Sequence, residues 1–205
     1  MSMGISTVEC KMTNMSEDRT EKLASDVEAK KSSLSETSFA RRVVSCLLFV
    51  LPIVVLGVIA DQWTKHAVED ELMVGEIIPI IDNFFNLTLT FNKGAAFGMF
   101  ANLPDGTRQL VLWSVSLAAV AAIFYFLFFE YYSHRLGKFS LGCILSGAVG
   151  NGIDRAMRGE VVDFLDFYIG AYHWPAFNVA DSLITVGATI LIFLTLFSKE
   201  NTISE

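Results

Sequence analysis

Long apolar runs that are nearly free of charge constrain this chain more than any other feature. Val43–Ala60 and Gln109–Phe129 hold no charged residue, and Val179–Phe197 holds only Asp181 at its entrance. Each is close to the roughly 20 residues a helix needs to cross a bilayer. A fourth run, Leu141–Ile153, is rich in Gly, Ala and Ser, which let helices pack closely. The chain is 53% hydrophobic and 18% charged, and the apolar residues come in blocks. The expected fold is an all-α membrane protein, a four-transmembrane-helix bundle with spans at about 43–62, 109–129, 141–157 and 179–197. Residues 41–199 form the membrane-embedded domain. Residues 1–40 are polar, with no sustained apolar face, and are expected to be a disordered or weakly helical cytoplasmic tail. Residues 200–205 form a short C-terminal tail.

The connecting segments differ in character. Phe84–Phe91 is β-branched and aromatic with partial alternation, a strand signal followed by the turn Asn92-Lys93-Gly94. A small β-sheet or cradle is therefore expected on the outer membrane surface. Val161–Phe177 reads as an amphipathic, aromatic loop, with Glu160 and Asp166 as solvated acids. Trp63, Trp113 and Trp174 read as interfacial aromatics. Arg41, Arg42, the link holding His134, Arg135 and Lys138, and Lys199 fall on one side, which the positive-inside rule makes cytoplasmic. Both termini are then inside. Asp61, Lys65, Asn92, Asp154, Asp163 and Asp181 come out together at the outer end.

That convergence gives the chain its chemistry. Gly147–Asp181 packs Asn151, Asp154, Arg155, Asp163, Asn178 and Asp181 between apolar helices, where ionisable groups are costly and usually functional. Asn151, Asp154 and Arg155 share a helix face, as do Asn178, Asp181 and Ser182. Two carboxylates brought together at a membrane edge share a proton and titrate as a pair, the arrangement of an aspartic protease. A net charge of −7 argues against a nucleic-acid partner. The three cysteines are too scattered for a disulfide framework, and His66, His134 and His173 for a zinc site. GAVGNG lies in an apolar helix with no preceding strand, unlike a phosphate loop. No metal or organic cofactor is expected, and nothing calls for more than a monomer. A small ion transporter would need acids near the mid-plane; here they gather at one face.

Five short motifs carry a resemblance. Asp61-Gln62-Trp63-Thr64-Lys65, Asn92-Lys93-Gly94-Ala95-Ala96-Phe97, Gly150-Asn151-Gly152-Ile153-Asp154-Arg155, Val161-Val162-Asp163-Phe164 and Phe177-Asn178-Val179-Ala180-Asp181-Ser182 resemble, in order, the motifs of lipoprotein signal peptidases (signal peptidase II). The likeness covers roughly Val43–Ser198. It implies an aspartic endopeptidase of the bacterial inner membrane that cuts diacylglyceryl-modified prolipoproteins just before the lipidated cysteine. Asp163 and Asp181 would be the catalytic pair. Asn151, Arg155 and Asn178 would position the pair and the substrate, supported by Asp61, Lys65 and Asn92. Asp154, beside Arg155, would stay ionised in a structural ion pair. The outer sheet would hold the lipidated signal peptide, with the acyl chains left among the membrane lipids. A catalytically inactive lipoprotein-binding scaffold is the alternative, and the intact Asp163 and Asp181 count against it.

Overall fold

The computed structural model describes residues 5–94, 99–100 and 102–198. The chain divides into two units, residues 1–44 and 45–205. The first is the N-terminal part of helix α1 (Ile5–Glu71). Its backbone is helical from Ile5. The sequence has no proline before Pro52 and no glycine between Gly4 and Gly57, so nothing in it breaks a helix there. The C-terminal tail and Lys199 lie outside the described residues.

The second unit holds the rest of α1 and the elements β1 (Ile77–Ile81), β2 (Phe85–Asn92), α2 (Asp105–Tyr125), α3 (Arg135–Arg158), β3 (Val161–Ile169), β4 (Tyr172–His173) and α4 (Val179–Ser198). A π-helical turn, Phe126–Glu130, extends α2. Among the described residues, three helices are long and apolar enough to cross a membrane: the Ser38–Glu71 part of α1, Asp105–Glu130, and Val179–Phe197. Their large apolar side chains point outward, Leu48, Leu56, Leu110 and Leu117 among them, as a lipid-facing surface requires. The expected span 141–157 lies inside α3, which has 24 residues but starts earlier, at Arg135. Lys138, assigned from sequence to the polar link, is buried in the first turns of α3 with its ammonium 5.0 Å from the Phe49 ring centre. The charges and glycines of α3 keep it below the apolarity of the other three.

Packing follows from small residues. Cys46, Val50, Ile123, Leu127 and Leu141 form a buried cluster joining α1, α2, its π turn and α3. A Cβ on Gly147 would collide with the Ala180 carbonyl, and one on Gly187 would lie 2.5 Å from that of Ser140, so α3 and α4 touch backbone to backbone. At the other end Leu72, Leu89 and Val162 seat the sheet against the end of α1.

The sheet has the order β1-β2-β3-β4 and is antiparallel throughout. The β2 strand lies within a residue of its expected place. Val161–Phe177, expected as a loop, contains the central strand β3 and the short β4. Its two aspartates, three residues apart, face opposite sides of β3. Asp163 shares its side with Phe167, whereas Asp166 pairs with Asn86 and is buried, so it is not a solvated loop acid.

Candidate active site

Helix ends position most of the site. α3 closes at Gly159, whose φ of 78° suits glycine and turns the chain straight into β3. Asp154 and Asn151 therefore sit about one and two turns before the end of α3, next to the strand that carries Asp163. α4 starts at Asn178, whose side-chain carbonyl accepts the Asp181 backbone N–H at 2.9 Å, an N-cap bond. Asp181 thus lies in the first turn of α4, where the helix dipole favours negative charge.

Asn178 also faces the strand. Its Nδ2 donates to Asp163 Oδ1 at 2.8 Å, to the Val162 carbonyl at 3.0 Å and to Asn151 Oδ1 at 3.2 Å. Asn151 Nδ2 donates to Asp181 Oδ1 at 2.8 Å. Two adjoining amides thus hold the two carboxylates, one each. Asn92 Nδ2 donates to the other oxygen of Asp163 at 3.1 Å.

A β-bulge makes that last contact possible. Leu87 pairs with Leu165 and Thr90 with Asp163, so β2 advances three residues where β3 advances two. The extra residue reverses which side the end of β2 presents and puts Asn92 on the side of Asp163.

Beneath the carboxylates lies a buried ionic layer. Lys65 Nζ is 2.8 Å from Asp61 Oδ2 and 2.8 Å from Asp154 Oδ2, and donates to Asn151 Oδ1 at 3.1 Å. All three ionic groups are 0–1% exposed. Burial on this scale requires every lone pair to find a partner. Asp61 Oδ1 accepts from the Ala180 backbone N–H at 2.8 Å and so also caps α4. Asp154 accepts from Gln62 Nε2 at 3.0 Å and from the Val162 N–H at 3.3 Å. The ionic partner of Asp154 is thus Lys65, not the neighbouring Arg155. Arg155 turns instead to the Gly94 carbonyl, 3.1 Å from Nη2, and its buried Nε has no partner among the described residues. Ala95, Ala96 and Phe97 of that motif lie outside the described residues.

Sequence reasoning passed over two residues of this layer. Gln62 joins Asp61, the Gly150 carbonyl and Asp154. Gly150 is needed for space: a Cβ there would lie 2.6 Å from Asp61 Oδ2. Both were visible in the motifs, but neither side chain suggested a role.

The environment separates Asp163 from an ordinary carboxylate. Burial raises its pKa to about 7, reinforced by the charge of Asp181 and opposed by the Asn92 hydrogen bond, Lys65 and the Asn178 hydrogen bond. Asp163 opens on a cavity of about 410 Å³ walled by Thr90, Phe91, Asn92, Lys93, Pro175 and Ala176. A carboxyl that can hold a proton near neutrality, beside a second carboxyl and an open cavity, suits general acid–base chemistry on a bound chain.

The family described as Signal peptidase (SPase) II matches residues 53–197. The chain belongs to the signal peptidase II family. It is 48% identical over 139 residues to the lipoprotein signal peptidase of Desulforapulum autotrophicum, covering 68% of this chain and 86% of that one. To the lipoprotein signal peptidase of Francisella tularensis subsp. novicida it is 41% identical over 152 residues, covering 74% and 92%. A solved bacterial membrane enzyme, determined by the in meso method at 2.3 Å, superposes with a TM-score of 0.68 at 31% identity, covering 76% of this chain and 92% of that one. Signal peptidase II enzymes are membrane aspartic peptidases, and the matched segment contains every polar residue of the layer and the pair described above.

Proposed function

We propose that this chain is the endopeptidase that removes signal peptides from diacylglyceryl-modified prolipoproteins in the bacterial inner membrane, cutting just before the lipidated cysteine. The observation that carries this reading is the pair Asp163 and Asp181, each held by its own asparagine, at the mouth of a cavity and at the membrane end of α4. The ionised carboxylate takes a proton from a water molecule as the water oxygen attacks the scissile carbonyl carbon. The protonated carboxyl donates to the carbonyl oxygen. A proton then passes to the peptide nitrogen, the C–N bond breaks, and the lipidated cysteine leaves with a free amine. Asn151, Asn178 and Asn92 fix the carboxylates. Arg155 positions the substrate backbone. Asp61, Lys65 and Asp154 form the structural layer beneath them.

In this reading α3 is the fourth span, both termini are cytoplasmic, and the site faces the outer leaflet, as a lipid-bearing substrate requires. The enzyme works as a monomer among membrane lipids. The test is reconstitution of the purified chain in liposomes with one prolipoprotein, either diacylglyceryl-modified or unmodified. Only the modified form should be cut, and the product should begin with the lipidated cysteine. Equal cleavage of both forms, or cleavage elsewhere, would remove the lipoprotein reading.

A further inference from the structure

A second cavity, of about 580 Å³, lies at the far end of the same side of the sheet. Its walls include Phe84, Phe167, Ile169, Tyr172, Trp174 and Phe177. Phe167 is four residues beyond Asp163 on one side of β3, so these two lining residues lie roughly 13 Å apart along the strand at the usual rise. One segment borders both cavities. Pro175 and Ala176 wall the cavity at Asp163, while Trp174 and Phe177 wall the second one. Phe177 directly precedes Asn178, where α4 begins, so this cavity stands at the membrane border.

The lining says what would occupy it. Phe167 stacks on Phe85 and Phe177 and meets Phe84 edge-on, which makes a rigid aromatic wall. The polar atoms nearby are already engaged. Tyr168 Oη accepts the Asn83 backbone N–H at 2.8 Å, and His173 Nδ1 is held by Asp166 at 2.9 Å. An extended peptide would need backbone partners here; β3 is paired on both edges, which leaves the peptide the outer edge of the two-residue β4. A hydrocarbon chain needs none, and gains by leaving water for such a surface. Yet Ile169, Tyr172 and Trp174 remain 59–87% exposed.

We infer that this aromatic cavity is the subsite for one acyl chain of the substrate's diacylglyceryl group, with the connecting segment Trp174–Phe177 guiding it from the scissile bond. This rests on the proposed function and alters one expectation from the family resemblance, that both acyl chains stay in the bilayer. The scissile bond adjoins the lipidated cysteine, so the glyceryl group emerges near Asp163 and its chains must leave along some apolar path. The Trp174 cavity is an apolar surface bordered by the same segment, Trp174–Phe177, that walls the cavity at Asp163.

The experiment uses the full chain in detergent with one prolipoprotein peptide carrying either two palmitoyl or two butyryl chains. The wild type should favour the palmitoyl substrate through KM. Trp174→Ala, and the gentler Tyr172→Ser at a side chain too exposed to govern folding, should raise KM for the palmitoyl substrate by about tenfold and several-fold respectively. Both should leave the butyryl substrate and kcat unchanged. In parallel, a palmitoyl chain ending in a diazirine, bound to Asp181→Asn to hold the complex, should label Tyr172, Trp174 or Phe84 on illumination. Cleavage of neither substrate by the wild type would overturn both the function and the subsite. An unchanged chain-length preference in the two variants, an equal KM rise for both substrates (as for bilayer anchoring), or labelling confined to α1–α4 would overturn the subsite alone.

Discussion

Replacing Lys65 with methionine tests the ionic layer most severely. The ammonium lies 2.8 Å from each of two carboxylates that are at most 1% exposed. Methionine fills much of the volume but strands both charges. Breaking a buried pair by removing one partner costs about 3–5 kcal/mol. Here the lower end applies, because Asp61 keeps the Ala180 N–H and Asp154 keeps Gln62 and the Val162 N–H. At roughly 2–4 °C per kcal/mol for a chain of this size, about 3 kcal/mol lowers Tm by about 6–12 °C. The assay is thermal unfolding of the purified chain in detergent. A second variant, Lys65→Met with Asp154→Asn, removes one stranded charge and should recover part of the loss, so the two changes are strongly non-additive. Cleavage should fall as well, because Asn151, which holds Asp181, loses one of the two donors that fix its side chain and keeps the other, Asn178. An unchanged Tm, or a double variant whose loss is the sum of the singles, would refute the reasoning.

Two further predictions follow from the same geometry. Asp163 is held up at about 7, so its contribution to stability is complete below the ordinary carboxylate range and is lost as pH rises through about 7; Tm should fall over that interval in the wild type and much less in Asp163→Asn, and cleavage that needs the shared proton should decline above it. Gly150→Ala should lower Tm and slow cleavage by pushing Asp61 off the start of α4, whereas Gly152→Ala, where a Cβ meets open space, should leave Tm almost unchanged.

The membrane class and the gathering of the acids were legible because both rest on simple patterns. Uncharged runs of spanning length identified three helices, and basic residues between them put the acids at one end. The strand Phe85–Asn92 was legible from its β-branched and aromatic content. The strand Val161–Ile169 was not. Its aspartates fall three apart, so its apolar residues do not alternate cleanly, and Asp166 owes its burial to Asn86 and His173, which lie elsewhere in the sequence. The start of α3 was missed because Arg135 and Lys138 read as a polar link, while the Phe49 ring that accommodates Lys138 belongs to α1. An ion pair at Asp154 was legible, but its partner was not, because Lys65 reaches it only once α1 and α3 have packed. Asn92 meets Asp163 through a bulge, and a bulge leaves no clear mark in composition.

The central claim is that Asp163 and Asp181 carry the chemistry while Asp154 does not. The direct measurement is the cleavage rate of a diacylglyceryl-modified prolipoprotein by the wild type, Asp163→Asn, Asp181→Asn and Asp154→Asn, each folded by its Tm. The account predicts that the first two variants lose at least about 10²-fold in kcat, the scale of general acid–base catalysis. Asp154→Asn should lose stability first and keep measurable turnover below its Tm. Near-normal kcat in Asp163→Asn or Asp181→Asn would contradict the account. So would a well-folded Asp154→Asn as inactive as they are predicted to be.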